Sequence, residues 1–105
     1  MLHPTFEEKL PEVKRLLKEH HVNRAYVFGS VVNGTFTDKS DIDLLVTFDY
    51  EPDPLISGEN WWELFFKLED LFNRKVDLLT EEQLRNPYLI KSINENKTLI
   101  YEPGN

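Results

Sequence analysis

The alternation of apolar and polar residues predicts two β-strands in the first half of the chain. The run Arg24–Phe28 is rich in residues that favour strands and stops abruptly at Gly29, so the first strand is expected there. The second strand is expected at Asp41–Phe48, where Asp41 and Asp43 point to one face and the apolar residues at 42, 44, 46 and 48 point to the other. Two carboxylates therefore share one face of a strand whose other face is apolar.

Apolar residues at helical spacing predict a helix on each side of this pair of strands. Residues 5–20 form an amphipathic pattern, in which Pro11 either kinks the helix or marks where its main part begins. A second helix is expected at residues 60–72, and its aromatic residues are assigned to packing, with contact of a partly exposed Trp62 or Phe66 to a protein partner as the alternative. Before this helix, two prolines at positions 52 and 54 predict an exposed loop that reaches to about residue 58.

The remaining elements complete an alternating order. A third strand is expected at Lys75–Leu79, with Asp77 between apolar neighbours. Capping residues at positions 80 and 86 predict two short helices, and residues 97–101 predict a final edge strand. This order predicts an α/β (α+β) sandwich, with a small mixed β-sheet and helices on at least one face. Residues 1–105 are expected to form a single domain.

The composition restricts the classes of function. The 105 residues carry a formal net charge of −7, and there is no cysteine, so a bound metal must be held by oxygen or imidazole ligands. The negative charge disfavours extended binding of nucleic acid, but it permits a small nucleotide that arrives with its own Mg²⁺. No apolar run approaches the roughly 20 residues that span a bilayer. Because the N-terminus also lacks the features of a signal peptide, a cytoplasmic protein without membrane contact is expected.

The two neighbouring aspartates are the leading candidates for chemistry. Close carboxylates such as Asp41 and Asp43 repel each other, and this repulsion favours a divalent cation between them. Upstream, Gly29-Ser30 ends the first strand in a sharp turn, where free backbone N–H groups suit an anion. A metal beside a phosphate is the arrangement that phosphoryl transfer needs. Asp77 is costly to bury unpaired, so it faces water, meets a cation or takes part in the chemistry.

Other polar residues near these elements are interpreted as structural. Adjacent residues on a helix do not face one another, so His20 and His21 are interpreted as a solvated helix end rather than as metal ligands. Asp49 shares the strand face of Asp41 and Asp43. Because it lies beside the proline-containing loop, it is interpreted as a solvated turn residue.

The combined pattern resembles the signature of a known superfamily. Gly29-Ser30, ten intervening residues, an Asp-Ile-Asp motif that begins at Asp41 and a later strand aspartate, Asp77, are similar to the motifs of nucleotidyltransferases related to DNA polymerase β. The small size resembles the minimal nucleotidyltransferase (MNT) group. The resemblance implies a nucleotidyltransferase fold. It also implies the transfer of a nucleoside monophosphate, usually AMP from Mg²⁺-bound ATP, to a hydroxyl group.

The same resemblance implies roles for individual residues. Asp41 and Asp43 would hold two Mg²⁺ ions, and Asp77 would share the ion beside the incoming hydroxyl and help to deprotonate that hydroxyl. Gly29 and Ser30 would cradle the β- and γ-phosphates of the nucleoside triphosphate.

One departure from the family pattern concerns positive charge. Family members commonly carry arginine at both basic positions of Gly-Ser-Arg-x-Arg-Gly, where this chain has Val31 and Asn33. Two cations that would face the phosphates are therefore missing from the motif. Lys39 and Arg24 are the candidates to compensate for them.

The resemblance to the minimal group also implies a protein partner. A helical HEPN-type toxin is the implied acceptor of AMP, with this chain as its antitoxin. The alternative is a binding module, an antitoxin or adaptor that acts by contact with a helical partner and has weak or no catalysis. The missing basic residues at positions 31 and 33 favour this alternative.

Overall fold

The computed structural model describes residues 2–48 and 54–102, except for the side chains of residues 54–57 and 82. Its helices and strands follow one another in the order that the hydrophobic pattern predicts. They are α1 (Pro4–Glu7), α2 (Leu10–Glu19), β1 (Val22–Phe28), α3 (Ser30–Asn33), β2 (Ile42–Phe48), α4 (Pro54–Phe72), β3 (Val76–Thr80), a 3₁₀ turn (Glu81–Gln83), α5 (Pro87–Asn96) and β4 (Thr98–Tyr101).

Within the described residues, four strands form one mixed sheet in the order β3–β2–β1–β4. β1 runs antiparallel to β2 and β4, whereas β2 and β3 are parallel. The register pairs Asp43 with Phe28 on one side and with Asp77 on the other. The end of β1 and two of the aspartates therefore lie in one row across the sheet. The prediction of an α+β fold with a small mixed sheet is confirmed.

One face of the sheet packs against α2 and α4 and forms the main core. Side chains alternate between the two faces of a strand, so every second strand residue points into this core. Removing these apolar side chains from water is the main favourable contribution to folding. The buried residues of the core include Phe6, Val13, Leu16, Leu17, Ala25, Val27, Val31, Ile42, Leu44, Val46, Leu64, Leu68, Phe72, Val76, Leu78 and Ile100.

The opposite face of the sheet carries a second, smaller apolar cluster. Leu45 points to this face and is only 2% exposed, and Ile93 of α5 is buried outside the main core. Leu45, Leu84 and Ile90 line one hollow, which lies between the sheet, the 3₁₀ turn and α5. Asp43 lies two residues before Leu45 on the same face. This face is therefore apolar beside α5 and acidic where β2 begins.

Two helix boundaries differ from the sequence prediction, and proline explains both. The first helical pattern contains two helices, and α2 begins at Leu10, so Pro11 lies in its first turn. α4 begins at Pro54 rather than at Asn60. Proline is tolerated in the first turn of a helix, because its missing N–H has no partner there. Residues 54–58, which were predicted to lie in an exposed loop, are therefore helical, and the other residues of that prediction, including Asp49, lie outside the described part of the chain.

The C-terminal elements agree with their predicted caps. Thr80 and Gln83 form a capping box around the 3₁₀ turn, and Asn86 Oδ1 accepts a hydrogen bond from the backbone N–H of Tyr88 at 2.9 Å. β4 pairs with β1 at the edge of the sheet, as expected for residues 97–101. Across residues 2–48 and 54–102, no helix has both the length and the apolar character that crossing a membrane requires.

The interpretation of His20 as a solvated residue is wrong. Its side chain is 5% exposed and lies between α2 and α4. Nδ1 is 2.7 Å from the carbonyl oxygen of Leu16, and Nε2 is 3.1 Å from Oε1 of Glu63. Both ring nitrogens face acceptor oxygens, so both contacts are hydrogen bonds only when both nitrogens carry a proton. His20 therefore connects α2 to α4.

Candidate functional site

The candidate site begins at the turn between β1 and α3. Gly29 occupies this turn with φ 75° and ψ −143°, a conformation that residues with a side chain rarely adopt. Its carbonyl oxygen accepts hydrogen bonds from the N–H groups of Val32 and Asn33, which starts α3 at Ser30. A Cβ atom at position 29 would overlap Oδ2 of Asp43. Glycine is therefore required here both by the backbone angle and by the close approach of a carboxylate.

The three predicted aspartates come from two adjacent parallel strands. Asp41 immediately precedes β2, Asp43 is half-buried within it, and Asp77 is exposed on β3 as the direct register partner of Asp43. Neighbouring strands lie about 4.8 Å apart. Since Ile42 and Val76 both point into the core, the aspartates that alternate with them share the opposite face. The structure thus brings Asp43 and Asp77 side by side, next to Gly29.

The environment of Asp43 penalises its negative charge. Burial, together with the negative charges of Asp77 and Asp41, raises the pKa of its carboxyl from 3.8 to about 6. The positive charge of Lys75 acts against this shift. A carboxyl group whose charge is disfavoured in this way is stabilised when a cation is added. The electrostatics of the site therefore favour a bound cation.

Lys75 is the cation that the sequence interpretation missed. Its Nζ lies 4.0 Å from Oδ2 of Asp41, although both side chains are largely exposed. The signal was present in the sequence, because Lys75 precedes Asp77 by two residues and thus shares its side of the strand. Arg24, in contrast, pairs with Thr47 at the far end of β2 and is not placed to compensate for missing basic residues.

The two positions where the family pattern has arginine serve other purposes in this chain. Val31 is 1% exposed and belongs to the main core, so this position contributes to packing. Oδ1 of Asn33 accepts hydrogen bonds from the backbone N–H and from the hydroxyl of Thr35, at 3.0 and 2.6 Å. The side chain of Lys39 is exposed in the loop that follows. Positions 31 and 33 therefore serve packing and turn formation in this chain and supply no positive charge beside Gly29.

The donor atoms at this end of the sheet fit Mg²⁺ in their chemistry. Mg²⁺ prefers oxygen ligands and is usually bound through one or two carboxylates, together with water and substrate phosphates. Asp41 and Asp43 supply such carboxylates, and the missing Cβ of Gly29 allows the carboxylate of Asp43 to lie against the Gly29 turn. In the part of the chain that the structure describes, no three histidine or acidic side chains converge into a ready-made metal site. The described side chains therefore supply only part of the ligands that a bound Mg²⁺ requires.

Comparison with known proteins gives a consistent family. The family model described as "Polymerase beta, Nucleotidyltransferase" matches residues 11–104. Two relatives from Methanocaldococcus jannaschii are provisionally named protein adenylyltransferases. One, MJ1379, is 39% identical over 100 residues, covering 88% of this chain and 96% of the relative. The other, MJ0128, is 44% identical over 89 residues, covering 84% of this chain and 85% of the relative.

Solved structures share the fold. A protein provisionally described as a minimal nucleotidyltransferase superposes with a TM-score of 0.73 at 31% identity, covering 93% of this chain and 95% of that chain. A chain from the complex of a tri-AMPylated Shewanella oneidensis HEPN toxin with an MNT antitoxin superposes with a TM-score of 0.65 at 20% identity, covering 91% of this chain and 71% of that chain. The protein therefore belongs to the polymerase beta nucleotidyltransferase family, as its resemblance to the minimal members predicted.

Proposed function

We propose that this protein transfers AMP from Mg²⁺-bound ATP to a hydroxyl group of a partner protein. The observation that carries the proposal is the register of the sheet, which pairs Asp43 with Asp77 beside the Gly29 turn. The names of the Methanocaldococcus jannaschii relatives support a protein as the acceptor of AMP. We also propose that residues 1–105 form one nucleotidyltransferase domain, because β4 near the C-terminal end pairs with β1.

In the proposed mechanism, three aspartates bind the metal and the Gly29 turn binds the phosphates. Asp41 and Asp43 hold Mg²⁺, two ions in the full arrangement, with Asp77 as a further ligand. When bound, Mg²⁺ supplies charge neutralisation for the entering and leaving oxygens of the phosphoryl group. Gly29 and Ser30 would receive the β- and γ-phosphates, since Gly29 ends β1 in a tight turn beside Asp43.

The chemical step is an in-line displacement at the α-phosphorus of ATP. The acceptor oxygen forms a bond to this phosphorus, the bond to the bridging oxygen of the β-phosphate breaks, and pyrophosphate leaves. Asp77 takes the proton of the acceptor hydroxyl, because its carboxylate is exposed on the same face as Asp43. Correct positioning and charge neutralisation supply most of the catalysis in reactions of this kind.

The partner that we propose is a helical HEPN-type toxin. The structural similarity to the complex of an AMPylated HEPN toxin with an MNT antitoxin supports this choice. The chain would then act as an antitoxin that modifies its toxin.

Transfer of radiolabelled AMP from ATP to a co-expressed HEPN-type partner tests the proposal. We expect labelling of the partner that requires Mg²⁺ and falls at least about 100-fold in Asp43→Asn, because a displaced or missing ligand at the reacting centre has effects of this size. Glu12→Gln is the control, since Glu12 is exposed on α2, which packs against the other face of the sheet. Undiminished labelling by Asp43→Asn would refute the mechanism.

A second candidate function is binding without catalysis. It is favoured by Val31, which is buried in the core, and by Asn33, which is engaged in a turn, where the family has basic residues. Calorimetric titration with Mg²⁺-ATP separates the two functions. A binding module is expected to show no metal-dependent affinity for ATP, and the double variant Asp41→Asn/Asp43→Asn should still neutralise the partner. The proposed enzyme is expected to bind Mg²⁺-ATP and to lose neutralisation in the double variant.

A further inference from the structure

The loop before Asp41 is held by the side chain of Arg74, which lies just before β3, the strand that carries Asp77. Nη1 of Arg74 donates hydrogen bonds to the carbonyl oxygens of Thr37 and Ser40, at 3.1 and 3.0 Å. Arg74 lies between α4 and β3, three residues before Asp77. One guanidinium group therefore connects the loop before Asp41 to the chain before Asp77.

The same guanidinium also contacts an aromatic ring in this loop. Cζ of Arg74 lies 4.4 Å from the centre of the Phe36 ring, in the geometry of a cation–π contact. The ring of His3 lies 4.5 Å from Phe36, and the backbone N–H of His3 donates to the carbonyl oxygen of Val31 in α3. The contacts run from α3 through the loop to the start of β3. The elements that carry Gly29, Asp41 and Asp77 are thus linked to one another.

The position of Arg74 itself is well determined. Asn73 adopts φ 53°, a left-handed conformation that ends α4 and turns the chain towards β3. Just after Arg74, the carbonyl oxygen of Lys75 accepts a hydrogen bond from the N–H of Ile42 at 3.0 Å, and the N–H of Val76 donates to Glu69 at 3.1 Å. The backbone just after Arg74 is therefore anchored to β2 and to α4.

Local hydrogen bonds do not connect this loop to β3. The backbone N–H of Thr37 donates to Oγ of Ser40 at 2.8 Å, and the N–H of Ser40 donates to the carbonyl oxygen of Thr37 at 3.1 Å, which closes a turn within the loop. The contacts of Arg74 join this turn to the chain before β3. The planar guanidinium can donate two hydrogen bonds while its face contacts a ring, which a lysine ammonium group cannot reproduce.

We propose that Arg74 is a positioning residue, which sets the placement of Asp41 and Asp43 relative to Asp77. The proposal rests on the function proposed above, because it assigns Arg74 to the same metal and phosphate site. Arg74 is not a catalytic residue in this proposal, since it acts on the carboxylates through the backbone of Thr37 and Ser40. It predicts that loss of the guanidinium weakens metal binding before any nucleotide or partner is present.

Binding of Mn²⁺ alone, followed by electron paramagnetic resonance of the free ion, tests this inference in the full-length chain. We expect Arg74→Gln to raise the dissociation constant for Mn²⁺ about 10-fold, the lower end of the effect of removing a group that orients metal ligands. Arg74→Lys keeps the charge and a donor but loses the planar contact with Phe36, so an increase of about threefold is expected. Arg85→Gln removes an exposed arginine outside this cluster and is the matched control.

A second readout separates positioning from general destabilisation. At saturating Mg²⁺-ATP, we expect kcat for AMP transfer to fall about 10-fold in Arg74→Gln, while the Michaelis constant for the partner protein stays within about twofold. The order of wild type, Arg74→Lys and Arg74→Gln should be the same for metal affinity and kcat.

Each outcome decides between the claims. Wild-type protein that binds Mn²⁺, together with a folded Arg74→Gln variant of unchanged affinity, overturns the role of Arg74 and leaves the proposed function standing. If Arg74→Gln does not fold, the same criterion applies to Arg74→Lys, where wild-type affinity overturns the inference. Wild-type protein that binds no Mn²⁺ in the absence of nucleotide overturns the inference, whereas the proposed function is tested separately by Mg²⁺-dependent transfer of AMP.

Discussion

The two faces of β2 and β3 serve opposite purposes, although their residues alternate along the same strands. On one face, Ile42 and Leu44 are fully buried against the helices and stabilise the fold. On the other face, Asp43 lies between these two residues in sequence, and its charge is disfavoured. One strand can therefore contribute stability on one side and carry a carboxyl group with a disfavoured charge on the other, because the alternation of side chains separates the two.

The face of the sheet that carries Asp43 and Asp77, here called the acidic face, is apolar along one part of β2 and acidic along another. Leu45 is buried near the 3₁₀ turn and α5, whereas Asp43, two residues earlier, lies beside Gly29. Asp77 is exposed on the neighbouring strand. Carboxylates are therefore placed where the apolar cover of this face ends, so that they are accessible while remaining partly desolvated.

The largest expected effect comes from the contact between Gly29 and the acidic face. Gly29→Ala should displace the carboxylate of Asp43 and lower AMP transfer about 100-fold, because the new Cβ overlaps Oδ2 and because the backbone has φ 75°. Gly34→Ala is a matched control, since Gly34 has φ 87° but no atom within 4 Å of an added Cβ. It should cost about 1 kcal/mol in folding free energy and leave transfer within about threefold. Equal loss of transfer in both variants would contradict the role of the close approach.

Substitutions at two adjacent residues, Leu44 on the core face and Asp43 on the acidic face, should change the free energy of unfolding in opposite directions. Leu44→Ala should lower the free energy of unfolding by about 3 kcal/mol, since it leaves a cavity in the main core. Asp43→Asn removes a disfavoured charge, so at pH 8 without metal it should not destabilise the protein and is expected to stabilise it by about 1 kcal/mol. Chemical denaturation of the two variants and the wild type measures both effects. Clear destabilisation by Asp43→Asn would show that this carboxylate contributes to the fold.

The smallest effect is a pH dependence of stability that originates on the acidic face. The pKa of Asp43 is about 6 in the folded protein and 3.8 as the ordinary value, so the folded state binds the proton more tightly than the unfolded state. The resulting stabilisation is complete below pH 3.8 and is lost as the pH rises through 6. Because Asp43 is half-exposed, a loss of about 1 kcal/mol relative to Asp43→Asn is expected.

Added Mg²⁺ sharpens this measurement. Denaturation curves of wild type and Asp43→Asn between pH 4 and pH 8, with and without Mg²⁺, give the difference directly. A metal bound at the aspartates should restore the stability of the wild type at pH 8 and leave that of Asp43→Asn nearly unchanged. A wild type whose stability relative to Asp43→Asn does not fall with pH would contradict the electrostatic description of Asp43.

Local sequence signals predicted most elements because each signal acts over a few residues. The stop at Gly29, the alternation from Asp41 to Phe48 and the caps at positions 80 and 86 depend on backbone preference and strand parity. The boundary of α4 was less predictable, since Pro54 is compatible both with a loop and with the first turn of a helix.

The sequence predicted the carboxylates of the candidate site, but it did not predict the positively charged residues that contact or support them. Asp41, Asp43 and Asp77 were identifiable because their type and spacing match a known motif. Lys75 shares a side of the strand with Asp77 by local spacing, but its approach to Asp41 depends on how β3 pairs with β2. The contact of Arg74 with the loop before Asp41 depends in addition on how α4 ends. His20 was misinterpreted for the same reason, because Glu63 approaches it only through the packing of α2 against α4.

By itself, the sequence determined the parity of the aspartates, the need for glycine where β1 ends and the family to which the chain belongs. Strand parity and the conformational freedom of glycine are properties of a few consecutive residues, and they persist in any fold. Only the tertiary structure decided that Asp77 stands beside Asp43, that Lys75 approaches Asp41 and that Arg74 holds the loop before it. These contacts join residues more than 30 positions apart, because strand pairing and helix packing bring distant segments together.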